Sequence, residues 1–96
     1  MPGRHIAARL DHRVVKLLNL SLTGALVKLD EDLPVDSQVV LALARDSVAV
    51  NVEARVLRSS PASPHPGFLT AVSFLNPTAE TKKAIPQLLS MGSGGR

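Results

Sequence analysis

Between Ser47 and Leu57 the chain alternates without interruption. Val48, Val50, Val52, Ala54 and Val56 fall on one face; Ala49, Asn51, Glu53, Arg55 and Leu57 fall on the other. A period of two over this length describes a strand with one apolar face in a core and one mostly polar face in water. A half-buried strand of this kind belongs to an antiparallel sheet, because parallel strands are covered on both faces and lose the alternation. Whatever else the chain does, it must supply partner strands for this one.

Those partners are legible on both sides. Ile6–Leu10 reads as a short strand, with Asp11-His12 as the hairpin turn into Arg13-Val14-Val15. Two apolar runs, Val14–Leu18 and Ala25–Leu29, flank the corner Asn19-Leu20-Ser21-Leu22-Thr23-Gly24. Asn and Ser side chains bond neighbouring backbone groups in turns, and Gly24 admits positive φ. From these residues alone the stretch is a structural corner. Asp30–Asp36, acidic and containing Pro34, reads as a loop across one end of the sheet. Gln38–Ala44 is the next strand, with Arg45-Asp46-Ser47 as a tight hairpin connection. Ser59–Gly67 holds three prolines, which lack ladder donors, and is predicted to be a loop. Phe68–Leu75 resumes a strand. Asn76-Pro77 then reads as N-cap and first helical residue, with Glu80 in the first turn. Thr81, Ala84, Ile85, Leu88 and Leu89 form an apolar helical stripe, which Pro86 is expected to kink or break near Ile85. About six strands and one helix suggest a sandwich or barrel whose mouth or outer face the helix covers. One domain over residues 1–91 and a flexible tail over 92–96 are expected.

Composition narrows the function. With no cysteine, neither a disulfide nor a thiolate metal site is possible, which fits a reducing, cytoplasmic setting. No apolar run approaches the ~20 residues of a membrane span, and the N-terminus lacks a signal-peptide core, so no membrane insertion is expected. The net charge of +3 favours anionic partners. Two Phe with no Tyr or Trp leave almost nothing on which to stack bases, which disfavours a nucleic-acid polymer. His5, His12 and His65 lack metal-ligand spacing, Asp30-Glu31-Asp32 resembles no calcium loop, and Ser21 has no His near it in sequence. The chain is expected not to be an enzyme and to carry no metal or cofactor.

The corner has a further significance. Asn-x-Ser-x-x-Gly followed by Ala25-Leu26-Val27 resembles the (Asp/Asn)-x-Ser-x-x-Gly signature of PilZ domains, bacterial signalling modules that bind cyclic di-GMP. The resemblance runs from about Ile6 to Met91. Val52-Glu53-Ala54-Arg55-Val56-Leu57-Arg58 is similar to the family's strand ending in hydrophobic-x-Arg. Ala71-Val72-Ser73-Phe74 stands where the family has Gly-Val-x-Phe, with Ala in place of Gly. The fold implied is mainly β: a six-stranded antiparallel Greek-key β-barrel with a C-terminal α-helix. The ligand implied is cyclic di-GMP, held by Asn19, Ser21 and Gly24 together with Arg4, Arg9 and Arg13. Arginine forks suit phosphate and the guanine O6/N7 edge. The family's Arg-x-x-x-Arg motif precedes its first strand. Arg9-Leu10-Asp11-His12-Arg13 has that spacing, but Arg13 lies six residues before Asn19, with no room for a full strand between. By position Arg4 matches the second arginine better, and its partner would fall before residue 1. The motif is then either shifted or half missing; were the chain an excised domain, the missing arginine would lie upstream of it.

Two functions follow from the resemblance. One is a cyclic di-GMP sensor that folds its N-terminal segment over the ligand and signals to a protein partner or neighbouring domain. The alternative is a degenerate PilZ-like barrel without nucleotide binding, acting as a protein-interaction module or homodimer. Its expected contact surfaces are the apolar helix stripe and any open strand edge.

Overall fold

The structure is a computed structural model that describes the backbone of residues 6–93 and the side chains of residues 6–89. The elements are β1 (Ala7–Leu10), β2 (Arg13–Leu20), β3 (Gly24–Leu29), β4 (Gln38–Arg45), β5 (Val48–Pro61), β6 (Phe68–Phe74) and α1 (Ala79–Ser93). The strands close in the order β1-β2-β3-β6-β5-β4, with β4 returning to pair with β1 and every pair antiparallel. The β3–β4 connection crosses one barrel end, which makes the order a Greek key. The expected fold is the observed one. Closure also removes the sheet's edges, so the open strand edge expected as a contact surface does not exist among the described residues.

The alternation of β5 is the alternation of the barrel wall. Val50, Val52, Ala54 and Val56 are buried inside, beside Leu41 and Leu43 of β4, while Ala49, Asn51, Glu53 and Arg55 face out. The β1–β2 hairpin turns on Asp11 and His12, both with positive φ, as a two-residue turn matching strand twist requires. Asp11 also takes Val40 N–H on its carboxylate at 2.8 Å and donates its own N–H to Val40 O at 3.0 Å, tying that turn to β4.

Three local expectations are corrected. β5 does not stop before Ser59: it runs on to Pro61, pairing Ser59 with Thr70, Ser60 with Leu69 and Pro61 with Phe68. Pro61 is tolerated because it occupies the last position of the strand. The helix is capped by Thr78 rather than Asn76. Thr78 Oγ1 accepts Thr81 N–H at 3.2 Å and Thr78 O accepts Lys82 N–H at 2.9 Å, while Asn76 takes positive φ in the preceding turn. Finally, α1 continues through Pro86. The proline ring faces solvent, while Thr81, Ala84, Ile85 and Leu88 on the other side are buried. That burial holds the helix together where propensity alone would break it.

The stripe of α1 joins the same core as the inward barrel residues, whereas outward Ala49, Asn51 and Glu53 of β5 stay exposed. The helix therefore plugs a barrel mouth rather than lying on the wall. This is the mouth where β6 ends, β3 and β5 begin, and β4 ends. It also means the apolar stripe expected as a docking surface is already used within the fold.

Candidate functional site

The corner after β2 sits at the α1 end of the barrel. Its turn is held by Ser21. The hydroxyl oxygen accepts the N–H groups of Thr23 and Gly24, each at 3.2 Å, and lies 3.3 Å from both Gly24 O and Thr23 Oγ1, either of which can take its proton. Ser21 N–H donates to Gly24 O at 2.9 Å. The hydroxyl is thus committed to its own loop. Gly24 opens β3 and is not among the positive-φ residues, so its expected conformational role is corrected. What excludes a side chain is proximity: a Cβ there would lie 2.3 Å from Val72 O of β6. The glycine lets two strands meet.

Asn19 is placed differently. From Val15 and Leu17, which face inward, strict alternation would send Asn19 into the core and Leu20 out. A β-bulge intervenes: the register moves from Leu17↔Val27 to Asn19↔Leu26, leaving Leu18 unpaired. Leu20 becomes buried and Asn19 exposed. The amide makes no hydrogen bond among the described residues. Bulges re-aim side chains in this way.

A second bulge mirrors the first. On β5 the register moves from Val56↔Val72 to Arg58↔Ala71, so Leu57 is the extra residue. Without it, Arg58 would follow Ala54 and Val56 into the interior. With it, Arg58 faces water and Ser59 turns in, where Ser59 Oγ accepts Thr70 Oγ1–H at 3.3 Å and Leu33 N–H at 3.4 Å.

The two bulges place Asn19 and Arg58 on one outer row. Asn19 pairs with Leu26, Leu26 with Ala71, and Ala71 with Arg58, across β2, β3, β6 and β5. At about 4.8 Å per strand the row spans roughly 14 Å. An amide stands at one end, a guanidinium at the other, and Leu26 with the small Ala71 form the floor between. One row along, Gly24 pairs with Ser73 and Ser73 with Arg55. One row the other way, Lys16 and Lys28 are directly opposite each other. Like charges so placed repel, unless an anion lies over them. A shallow notch of about 130 Å³ lined by Asn19, Leu20, Ser21, Gly24, Ala25 and Leu26 sinks into this face beside the corner.

The sequence-based site residues are only partly assembled. Asn19, Ser21 and Gly24 are together. Arg9 is exposed on β1 opposite Val14 and Ala42, toward the far end of the β1–β2 hairpin. Arg13 starts β2, six residues from Asn19, or roughly 20 Å along the strand, and forms an ion pair with Glu31. Arg4 lies outside the described residues, as does His5. Arg58, Arg55, Lys16 and Lys28 lie outside the sequence-based set. The hydrophobic-x-Arg ending marks Arg58 in the sequence, but its face depends on a bulge that alternation conceals.

His12 sits in the β1–β2 turn and His65 in the β5–β6 loop, and no metal-holding group of side chains occurs among the described residues. No described helix is long and apolar enough to cross a membrane. In comparisons with known proteins, the family model described as PilZ domain matches residues 5–90. No curated protein and no solved structure matches.

Proposed function

The chain belongs to the PilZ domain family, and from that premise we propose that it is a sensor module that binds cyclic di-GMP and signals to a protein partner. PilZ domains in general are cyclic di-GMP-binding and regulatory modules. The observation that carries the reading to this chain is the outer row Asn19–Leu26–Ala71–Arg58, made one-faced by its two bulges. The unengaged Asn19 amide reads a guanine edge at the notch. Leu26 and Ala71 lie under the base, and Arg58 meets phosphate or the O6/N7 edge. Lys16 and Lys28 attract the phosphates. Ser21 and Gly24 shape the corner rather than touch the ligand. Arg4 closes over the ligand from the N-terminal segment. Arg9 and Arg13 act from the hairpin's far end through the positive field. A cytoplasmic setting belongs to the same proposal.

Calorimetric titration of the purified chain with cyclic di-GMP, with GTP as control, tests this. Micromolar or tighter binding of cyclic di-GMP is expected, weakened about tenfold or more in Asn19→Ala, the loss expected when hydrogen bonds to a ligand are removed. The absence of heat from the parent at high ligand concentration would refute it.

A second reading is favoured by one specific feature. Between β1 and β2 lies an open, mainly apolar groove of about 590 Å³, bordered on the outer face by Ala7, Arg9, Val14 and Lys16, with Val14 77% exposed and the half-buried Ile6 and Leu17 reaching it from the core side. A degenerate barrel acting as a protein-interaction module would use this groove. Light scattering that finds a dimer or complex indifferent to nucleotide supports it, and a monomer without partner opposes it.

A further inference from the structure

Arg45 is the last residue of β4 and, unlike Arg58, no bulge turns it out. It continues the inward row of Val39, Leu41 and Leu43, pairs with Val48, and is 4% exposed. It is the only buried cation among the described residues. Its Nε, Nη1 and Nη2 are all buried and none has a hydrogen-bond partner among the described residues.

A guanidinium offers five donors and has no neutral form to retreat to in a protein. Burying it without an acceptor is among the costliest arrangements a small domain can hold. The chain's own carboxylate side chains do not relieve it. All eight, from Asp11 to Glu80, are exposed, and Glu31 is engaged by Arg13. The neighbouring Asp46 turns away into the β4–β5 hairpin with positive φ. Around Arg45 the mouth is apolar: Ala8 and Leu43 lie one row in, Val48 pairs with it, and Ile6 packs against the same core.

We propose that Arg45 is an oxyanion-binding site at the barrel mouth that α1 plugs, taking a phosphate-type or carboxylate oxyanion in the bidentate fork of its guanidinium. The site is separate from the outer row that carries the nucleotide reading, since Arg45 points into the barrel and Asn19 and Arg58 point out. A covered guanidinium is reached only through local opening of the mouth, so occupancy also consolidates the closed end of the barrel.

The test is thermal unfolding of the full chain at constant ionic strength, with chloride replaced by inorganic phosphate in one arm and acetate in another. The Arg45 Nε–Hε resonance is followed by NMR in parallel. Phosphate stabilises many proteins by exclusion from their surface, so the readout is the difference between the parent and Arg45→Met. The parent is expected to show a saturable rise in Tm, about 5–10 °C at ten times the Kd, and a shift of the Arg45 resonance. Arg45→Met is expected to start from a higher Tm in chloride and to lack the saturable component. A saturable response to phosphate or to acetate identifies which oxyanion the site accepts. Equal responses in parent and variant, or an Arg45 resonance unmoved by either anion, would overturn the site. The resonance decides the matter even if Arg45→Met fails to fold.

Discussion

Replacing Gly24 by alanine isolates the contact on which the corner is built. A Cβ at this position would stand 2.3 Å from Val72 O, 3.4 Å from Val72 C and 3.5 Å from Ser73 Cα. The first of these is roughly 1 Å short of ordinary contact. All three atoms are backbone, and the pairs Gly24↔Ser73 and Ala25↔Val72 hold them in place. Relief therefore requires β3 and β6 to separate. Overpacking of this kind costs about 1–3 kcal/mol, and the unyielding neighbour puts it near the top of that range. Weakening one ladder hydrogen bond adds about 1 kcal/mol. Against this, alanine restricts the unfolded chain and returns about 0.4–1 kcal/mol. The net loss is about 3 kcal/mol, a fall in Tm of about 12–25 °C for a domain of this size. With no Trp or Tyr to follow by fluorescence, urea and thermal transitions by far-UV circular dichroism are the suitable assay. Gly24→Asn separates the two possible reasons for glycine. If positive φ were the requirement, asparagine would be tolerated better than alanine. Close approach makes it worse. An alanine variant as stable as the parent, or stabilised by the unfolded-state gain, would refute the contact argument.

Other perturbations test the surrounding logic. Deleting Leu18 removes the β2 bulge, drives Asn19 inward and Leu20 out, and is expected to cost about 3 kcal/mol or more; chemical denaturation that finds no loss would show that the bulge does not set the face. Thr78→Ala is expected to cost about 1 kcal/mol by removing the helix cap, with Asn76→Gly, which keeps the positive φ of that position, nearly silent, as measured by urea midpoints. Arg58→Ala is expected to weaken cyclic di-GMP binding at least tenfold with little change in Tm, whereas Arg13→Ala has a small, salt-sensitive effect; calorimetry at two ionic strengths separates contact from field.

Much of the barrel could be read from residue patterns. The Ser47–Leu57 alternation survives as the buried row Val50, Val52, Ala54 and Val56, and the stripe of α1 is buried at Thr81, Ala84, Ile85 and Leu88. What escaped was where tertiary context overrides a local rule. Pro86 sits within a continuous helix because the opposite face is anchored, and Pro61 ends a strand because its partner Phe68 is already in register. The candidate site shows the same division. The corner Asn19–Gly24 was visible as a motif, and Ser21 holds it as turn chemistry requires. The face presented by Asn19 and Arg58 was not visible, because a bulge changes register by one residue without any change in composition. Arg9 and Arg13 have an inviting spacing in the chain, but a two-residue turn between short strands sends them to the end of the hairpin away from the corner. Nor does sequence alone reveal that Arg45 closes an inward row, since a basic residue before Asp-Ser reads as part of an exposed turn.

The most direct measurement is an NMR amide-shift titration of the ¹⁵N-labelled chain with cyclic di-GMP. Binding across the bulged row is expected to move the backbone resonances of Asn19 to Leu26 together with those of Arg58 and Ala71, and to leave the turn at Asp11 and His12 and the β5–β6 loop at His65 unmoved. Shifts confined to the β1–β2 hairpin end, or no shifts at saturating ligand, would contradict the account.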